Sequence, residues 1–122
     1  KEKRAVAGLS MGGFHSLFIA LNHPDKFSYV GLMSAGLNTA FLDMSLPAYK
    51  DMEGKLKNFQ KEGYDLFWIA CGTDDFLYQN NLDFMKTCDQ IGFEYTYHES
   101  ERGHIWANWR QYLLLLAPML FK

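Results

Sequence analysis

The sequence predicts an α/β fold with a mostly parallel sheet and flanking helices, and three observations carry that prediction. Two runs, Tyr29-Val30-Gly31-Leu32-Met33 and Leu66-Phe67-Trp68-Ile69-Ala70-Cys71, are apolar throughout and do not alternate. Strands buried on both faces read this way, and helices packed on both sides of a parallel sheet are what bury them. Strand-like and helix-like segments then alternate along the chain, the order that strand–helix–strand units produce. Finally, 122 residues with 48% hydrophobic and 21% charged side chains make one domain or part of one. This composition excludes a disordered tail, a collagen-like chain and a low-complexity segment.

Each element has a local reason. Ala5-Val6-Ala7-Gly8 is a short apolar strand. Phe14, Leu17, Phe18 and Leu21 fall at i, i+3, i+4 and i+7, one face of a helix that Asn22-His23-Pro24 ends. Tyr29 to Met33 is the second strand. A long connection from Gly36 to Gly63 holds a charged helix from about Ala48 to Lys61. Its Leu56 and Phe59 face inward, and its Lys50, Asp51, Glu53, Lys55 and Lys57 are solvated. Leu66 to Cys71 is the third strand. Leu82, Met85, Cys88 and Ile91 mark a helix closed by Gly92. Phe93 to Tyr97 is a short aromatic-rich strand. Trp106, Trp109, Leu113 and Leu116 mark a last helix ending around Pro118. No internal repeat or interdomain linker interrupts this order, so residues 1–122 form one unit.

Charge and composition narrow the partners. Twelve Lys and Arg against 14 Asp and Glu give a net charge of −2, with no electrostatic footprint for nucleic acid. No apolar run approaches the roughly 20 residues of a membrane span. Cys71 and Cys88 are too few for a disulfide scaffold and are expected to be small buried hydrophobes. With neither a CxxC spacing nor a paired histidine, no metal site is expected, and nothing implies a cofactor.

The chemistry starts at Gly8-Leu9-Ser10-Met11-Gly12-Gly13, which fits G-x-S-x-G between a strand and a helix. A serine at such a corner is held in a tight turn that lifts its Oγ clear of the sheet. Side chains at the two flanking glycines, Gly8 and Gly12, are expected to collide with neighbouring backbone. The N–H of Met11, at the start of the following helix, is placed to stabilise an oxyanion. The plain alternative, a Gly-rich phosphate-binding turn, lacks both the dinucleotide pattern and the Walker lysine.

A serine hydroxyl needs a base, and the base needs an orienting carboxylate. In this fold class the order along the chain is Ser, then Asp or Glu, then His, and the partners sit in loops after strands. Gly72-Thr73-Asp74-Asp75 follows the third strand. Asp75 is the preferred acid and Asp74 the second choice, the other being a cap or turn residue. His104, after the last strand and before the last helix, is the base, with Gly103 letting the backbone approach the serine. His15 reads as a helix residue, His23 as a local cap and His98 as a strand-end residue without metal partners.

These residues, with Asn22-His23-Pro24-Asp25-Lys26-Phe27-Ser28-Tyr29, Cys71-Gly72-Thr73-Asp74-Asp75-Phe76-Leu77 and Gly103-His104-x-Trp106-x-x-Trp109-Arg110, resemble the esterase D / feruloyl esterase-like branch of the α/β-hydrolases. That branch holds feruloyl and acetyl xylan esterases (carbohydrate esterase family 1), enterobactin-type esterases and S-formylglutathione hydrolases. The resemblance implies Ser10 as nucleophile, Asp75 as acid, His104 as base and the Met11 amide as half of an oxyanion hole. Glu101-Arg102-Gly103 stands where such members often have two glycines.

The implied activity is a serine carboxylesterase cleaving plant-wall carbohydrate esters, secreted or periplasmic. The alternatives are an S-formylglutathione hydrolase, a siderophore esterase or a non-catalytic hydrolase-like assembly module. Trp106 and Phe76, with Trp109 and Phe41, are candidates to line an aromatic acyl pocket. Members of the branch run to roughly twice this length, so the chain reads as the C-terminal half of such a domain, beginning at the nucleophile strand. On that reading a second oxyanion donor lies outside it, the isolated chain is a poor catalyst, and the Ala5–Gly8 strand stands at an open edge. Such an edge favours self-association or pairing with the missing half.

Overall fold

Four strands, Ala5–Leu9 (β1), Tyr29–Met33 (β2), Leu66–Gly72 (β3) and Thr96–Ser100 (β4), form one sheet in the order β1-β2-β3-β4. All three pairings are parallel, with Leu9 opposite Met33, Met33 opposite Ala70 and Ala70 opposite His98. This computed structural model describes residues 1–37 and 45–122. The helices are Met11–Asn22 (α1), Met52–Glu62 (α2), Tyr78–Ile91 (α3) and Trp106–Leu116 (α4), with short 3₁₀ turns at Pro47–Tyr49 and Ala117–Met119.

Alternation along β2 and β3 sorts the core into two layers. Val30, Leu32, Phe67 and Ile69 pack with Leu17, Phe18 and Leu21 of α1, Leu56 and Phe59 of α2, and Phe84, Met85 and Cys88 of α3. Met33, Trp68 and Ala70 point the other way, against Tyr112 and Leu116 of α4. Every residue of β2 is buried, as its unbroken apolar run requires. Gly31 lets α4 close on the sheet, because a Cβ there would lie 2.5 Å from Leu116 and 3.2 Å from the Ala7 methyl.

Several elements differ from the sequence-based expectation. The charged connection does not run as one helix from Ala48. Pro47–Tyr49 forms a separate 3₁₀ turn, and Asp51, at φ 54°, caps α2 by accepting from the Gly54 N–H. Lys55 is half-buried, its Nζ donating to the Pro47 and Ala48 carbonyls, and desolvation lowers its pKa. The fourth strand lies three residues later than expected because Phe93 drops into the core among Phe59, Tyr64 and Phe67. On α4 the buried face is Asn108, Tyr112 and Leu116, while Trp106 and Leu113 are exposed. β1 is an edge strand with Ala7 exposed, and no helix among the described residues is long and apolar enough to cross a membrane.

Cys71 and Cys88 are buried and unbridged. Burial, aided at Cys71 by the Asp75 carboxylate, pushes both thiols up to about 12. The folded state therefore holds protons that the unfolded chain releases. This contribution to stability is complete below the ordinary thiol value and is lost as pH rises toward the raised one. The same shift suppresses alkylation, since the thiolate is the nucleophile. Iodoacetamide at about pH 8, followed by peptide mass spectrometry, is expected to leave both cysteines unmodified in the native state and to label both in denaturant. Native labelling at the denatured rate would contradict the burial.

Candidate active site

Because the strands are parallel and in register, the carboxyl ends of β1, β3 and β4 share one rim. Ser10 follows β1 directly and takes φ 54° and ψ −121°, a strained conformation for a residue with a side chain. Backbone bonds hold it there. Its N–H donates to Met33 O at 2.9 Å, and its carbonyl accepts from the Gly13 and Phe14 amides at 3.1 and 3.2 Å. A Cβ on Gly8 would collide with the backbone of Gly12 and Gly13, and one on Gly13 would lie 2.5 Å from the Ala35 Cβ. The second crowded position is thus Gly13. At Gly12, against expectation, a Cβ meets nothing within 4 Å among the described residues. Met11 is the first residue of α1, so its N–H has no acceptor within the helix.

β3 leads into the turn that carries the carboxylates. Asp75 is the one turned inward. Its side chain is fully buried, Oδ1 accepts from the Leu77 N–H at 2.9 Å, and Oδ2 lies 2.9 Å from His104 Nδ1. Asp74 is exposed and contributes its backbone N–H, which donates to Arg102 O at 2.9 Å. His104 Nε2 lies 2.9 Å from Ser10 Oγ. Ser10, His104 and Asp75 are therefore one continuous hydrogen-bonded chain, with the nucleophile candidate at its open end.

The loop carrying His104 is locked to the loop carrying Asp75. Thr73 N–H donates to Ser100 O at 2.9 Å, parallel to the Asp74–Arg102 bond, and a side chain on Gly72 would collide with the Arg102 carbonyl. The expected role of Gly103 needs correction. A Cβ there would meet Asp74 O at 3.0 Å, so the glycine permits close approach to the carboxylate loop, not to the serine. Asn108 completes the lock. Its buried Nδ2 donates to both Glu101 O and Gly103 O at 2.9 Å, on either side of Arg102, which is held at φ 65°. Sequence reasoning missed Asn108; the available signal was an amide at i, i+4, i+8 with Tyr112 and Leu116.

Aromatic rings surround the imidazole. The Phe76 ring is 76% exposed and lies 4.8 Å from His104, and the Trp109 ring stands edge-on to it at 5.0 Å. Trp106, 66% exposed, touches Trp109 at 5.0 Å and forms an outer layer. Phe41 lies outside the described residues. His15 is exposed, His23 caps α1 through its backbone, and His98 stacks on Trp68. Among the described residues no group of three His, Cys, Asp or Glu could hold a metal ion.

Comparison with known proteins places this geometry. The model of the family described as "Putative esterase" matches residues 1–118, and the chain belongs to that family. It is 27% identical over 139 residues to an acetyl esterase of Caldicellulosiruptor saccharolyticus, covering 93% of this chain and 52% of the relative. It is 30% identical over 126 residues to an endo-1,4-beta-xylanase/feruloyl esterase of Xylanibacter ruminicola, covering 100% of this chain and 15% of that protein. Among solved structures, the S-formylglutathione hydrolase of Staphylococcus aureus superposes with a TM-score of 0.75 at 29% identity, covering 98% of this chain and 53% of that one. The chain thus spans about half the length of the acetyl esterase and of the S-formylglutathione hydrolase.

The contrast between the glycines of the turn is testable by thermal or denaturant unfolding. Gly8→Ala is expected to cost about 2 kcal/mol or more through backbone collision. Gly12→Ala is expected to be neutral or to stabilise by up to about 1 kcal/mol through helix propensity. Equal losses at the two sites would contradict the turn geometry.

Proposed function

With membership of that family as the premise, we propose that the chain supplies the nucleophile, base and acid of a serine esterase that hydrolyses esters of plant-wall carbohydrate through an acyl-enzyme. One observation carries the reading: the unbroken sequence of contacts from Ser10 Oγ to His104 Nε2 and from His104 Nδ1 to Asp75. In the first half-reaction Ser10 Oγ attacks the ester carbonyl carbon while His104 Nε2 takes the hydroxyl proton. Buried Asp75 holds the imidazole in the tautomer whose Nδ1 carries the proton, and it stabilises the imidazolium that forms. The unused Met11 N–H, at the positive end of α1, stabilises the tetrahedral oxyanion. His104 then protonates the departing alkoxide, leaving the acyl group on Ser10. In the second half-reaction His104 takes a proton from water, which attacks the acyl carbon, and the carboxylic acid departs as Ser10 regains its proton.

Phe76, exposed beside the imidazole, and Trp106, exposed against Trp109, offer apolar surface for an aromatic acyl group. The acetyl and feruloyl esterase relatives support the carbohydrate-ester reading. The similarity to an S-formylglutathione hydrolase supports a second reading, a thioesterase using the same residues. Comparing turnover of methyl ferulate, acetyl xylan and S-formylglutathione by the full-length protein separates the two.

The edge of β1 bears on partners. Among the described residues its backbone pairs on one side only, with β2, and Ala7 is exposed. An edge of this kind recruits another strand. The reading therefore includes pairing there, with a second copy or with the remainder of a longer protein that also brings the second oxyanion donor from the loop where this fold carries it. Losing one such donor lowers kcat by roughly 10²–10³. The isolated chain is thus expected to associate and to be a poor catalyst; a well-folded, fully active monomer on size-exclusion chromatography contradicts this.

The triad is tested in the full-length protein. Ser10→Ala is expected to abolish both ester hydrolysis and fluorophosphonate labelling. Asp75→Asn is expected to lower kcat by about 10³–10⁴, the order seen when a triad carboxylate is neutralised, and Asp74→Asn to leave it within a few-fold. A Ser10→Ala protein that still hydrolyses the substrates at the wild-type rate, or a larger loss at Asp74 than at Asp75, would sink the assignment.

A further inference from the structure

Beneath the imidazole lies a connection the reaction does not itself require. Trp109 Nε1–H donates to Ser34 Oγ at 3.1 Å, and the same indole stands edge-on to the His104 ring. Ser34 is fully buried and holds φ 47°, a left-handed conformation that disfavours any residue with a Cβ. Its N–H donates to Ala70 O at 2.8 Å, fixing it to the end of β3. The residue before it, Met33, accepts the Ser10 N–H. Two consecutive residues at the end of β2 therefore hold the nucleophile turn through one bond and, through Trp109, the wall against which the base rests.

From this arrangement we infer that Trp109 and Ser34 act together as a positioning pair, setting where the His104 imidazole stands relative to Ser10 independently of Asp75. Asp75 fixes the ring through Nδ1, but a single hydrogen bond leaves the ring free to swing about it. The Phe76 and Trp109 rings, 4.8 and 5.0 Å from the imidazole, limit that swing, and of these two Trp109 is tied by a hydrogen bond to Ser34, next to the residue that anchors the nucleophile turn. The strained backbone of Ser34 fits such a role: a glycine would relax the left-handed turn, yet would remove the acceptor on which the indole is hung.

The inference rests on the esterase reading, and its test keeps the two apart. In the full-length protein, kcat and KM for an aryl acetate are measured for Trp109→Phe, Ser34→Gly, the double variant and Ser10→Ala. Trp109→Phe keeps a ring but loses the N–H, whereas Ser34→Gly removes the acceptor and suits the backbone. Each single variant is expected to lower kcat roughly ten- to a hundredfold, the scale of a displaced catalytic group, with KM within about threefold. The double variant is expected to match the worse single rather than the product of the two, because both changes break one contact. The thermal midpoint of Ser34→Gly is expected at or above that of the parent, a split that loss of structure does not produce. Wild-type kcat in Ser34→Gly and Trp109→Phe, losses that multiply, or losses confined to KM would overturn the inference while Ser10→Ala remains inactive. Undiminished hydrolysis by Ser10→Ala would overturn the esterase reading and this pair with it.

Discussion

Parallel register is the constraint on which the rest depends. Strand polarity decides that the ends of β1, β3 and β4 emerge on the same rim, and register sets their heights: β1 ends opposite Met33, level with Ala70 and His98, while β3 and β4 end together at Gly72 and Ser100. Ser10 needs no loop to reach the site, and Asp75 and His104 need only the few residues after β3 and β4. A one-residue slip of any strand would turn its inward side chains to the other face. In β3 that would exchange the Phe67 and Ile69 layer for the Trp68 and Ala70 layer, so the two differently shaped cores enforce the register that the chemistry uses.

Register brings the loops together, but backbone contact holds them. Gly8 against Gly12, Gly13 against Ala35, Gly72 against Arg102 and Gly103 against Asp74 are all places where a missing Cβ lets main chains meet. Each approach is then sealed by a hydrogen bond, from Ser10 to Met33 in one corner and from Asp74 to Arg102 in the other. Side-chain amides take over where main chain alone falls short, as Asn108 does across Arg102. The imidazole is thereby carried on a loop with little freedom of its own.

Much of this was legible in the residues. The unbroken apolar runs gave β2 and β3, since only burial on both faces explains them, and the serine turn announced itself because its glycines have steric reasons. Of the two aspartates the sequence prefers Asp75; what separates them in space is that Leu77 N–H turns Asp75 inward while Asp74 stays in solvent. Among what was not legible, three cases show tertiary packing overriding a local pattern. Phe93 carries strand propensity but is worth more in the aromatic core, which pushes β4 later. The apolar residues Trp106, Trp109, Leu113 and Leu116 mark α4 but not its buried face, which includes Asn108, whose value lies in two carbonyls no periodicity registers. Gly12 flanks the serine as Gly8 does, but crowding depends on what lies opposite, and among the described residues nothing lies opposite Gly12.

Backbone strain follows the same logic. Among the described residues five that are not glycine have positive φ, and Ser10, Ser34 and Arg102 all sit at this rim. Residues held in such conformations cost about 1–3 kcal/mol each and persist only where their surroundings over-determine them. Here the surroundings can be named: Met33 O for Ser10, Ala70 O and the Trp109 indole for Ser34, and the Asp74 N–H with the Asn108 brace for Arg102. These partners hold the nucleophile itself, the residue on which the indole beside the imidazole hangs, and the residue two before the imidazole. A rim made of relaxed turns would be more stable and would have more conformations. The strain is the consequence of requiring one geometry at the site, and bonds that tie the two rim loops to β2, β3 and α4 explain how a sheet of four short strands can hold it.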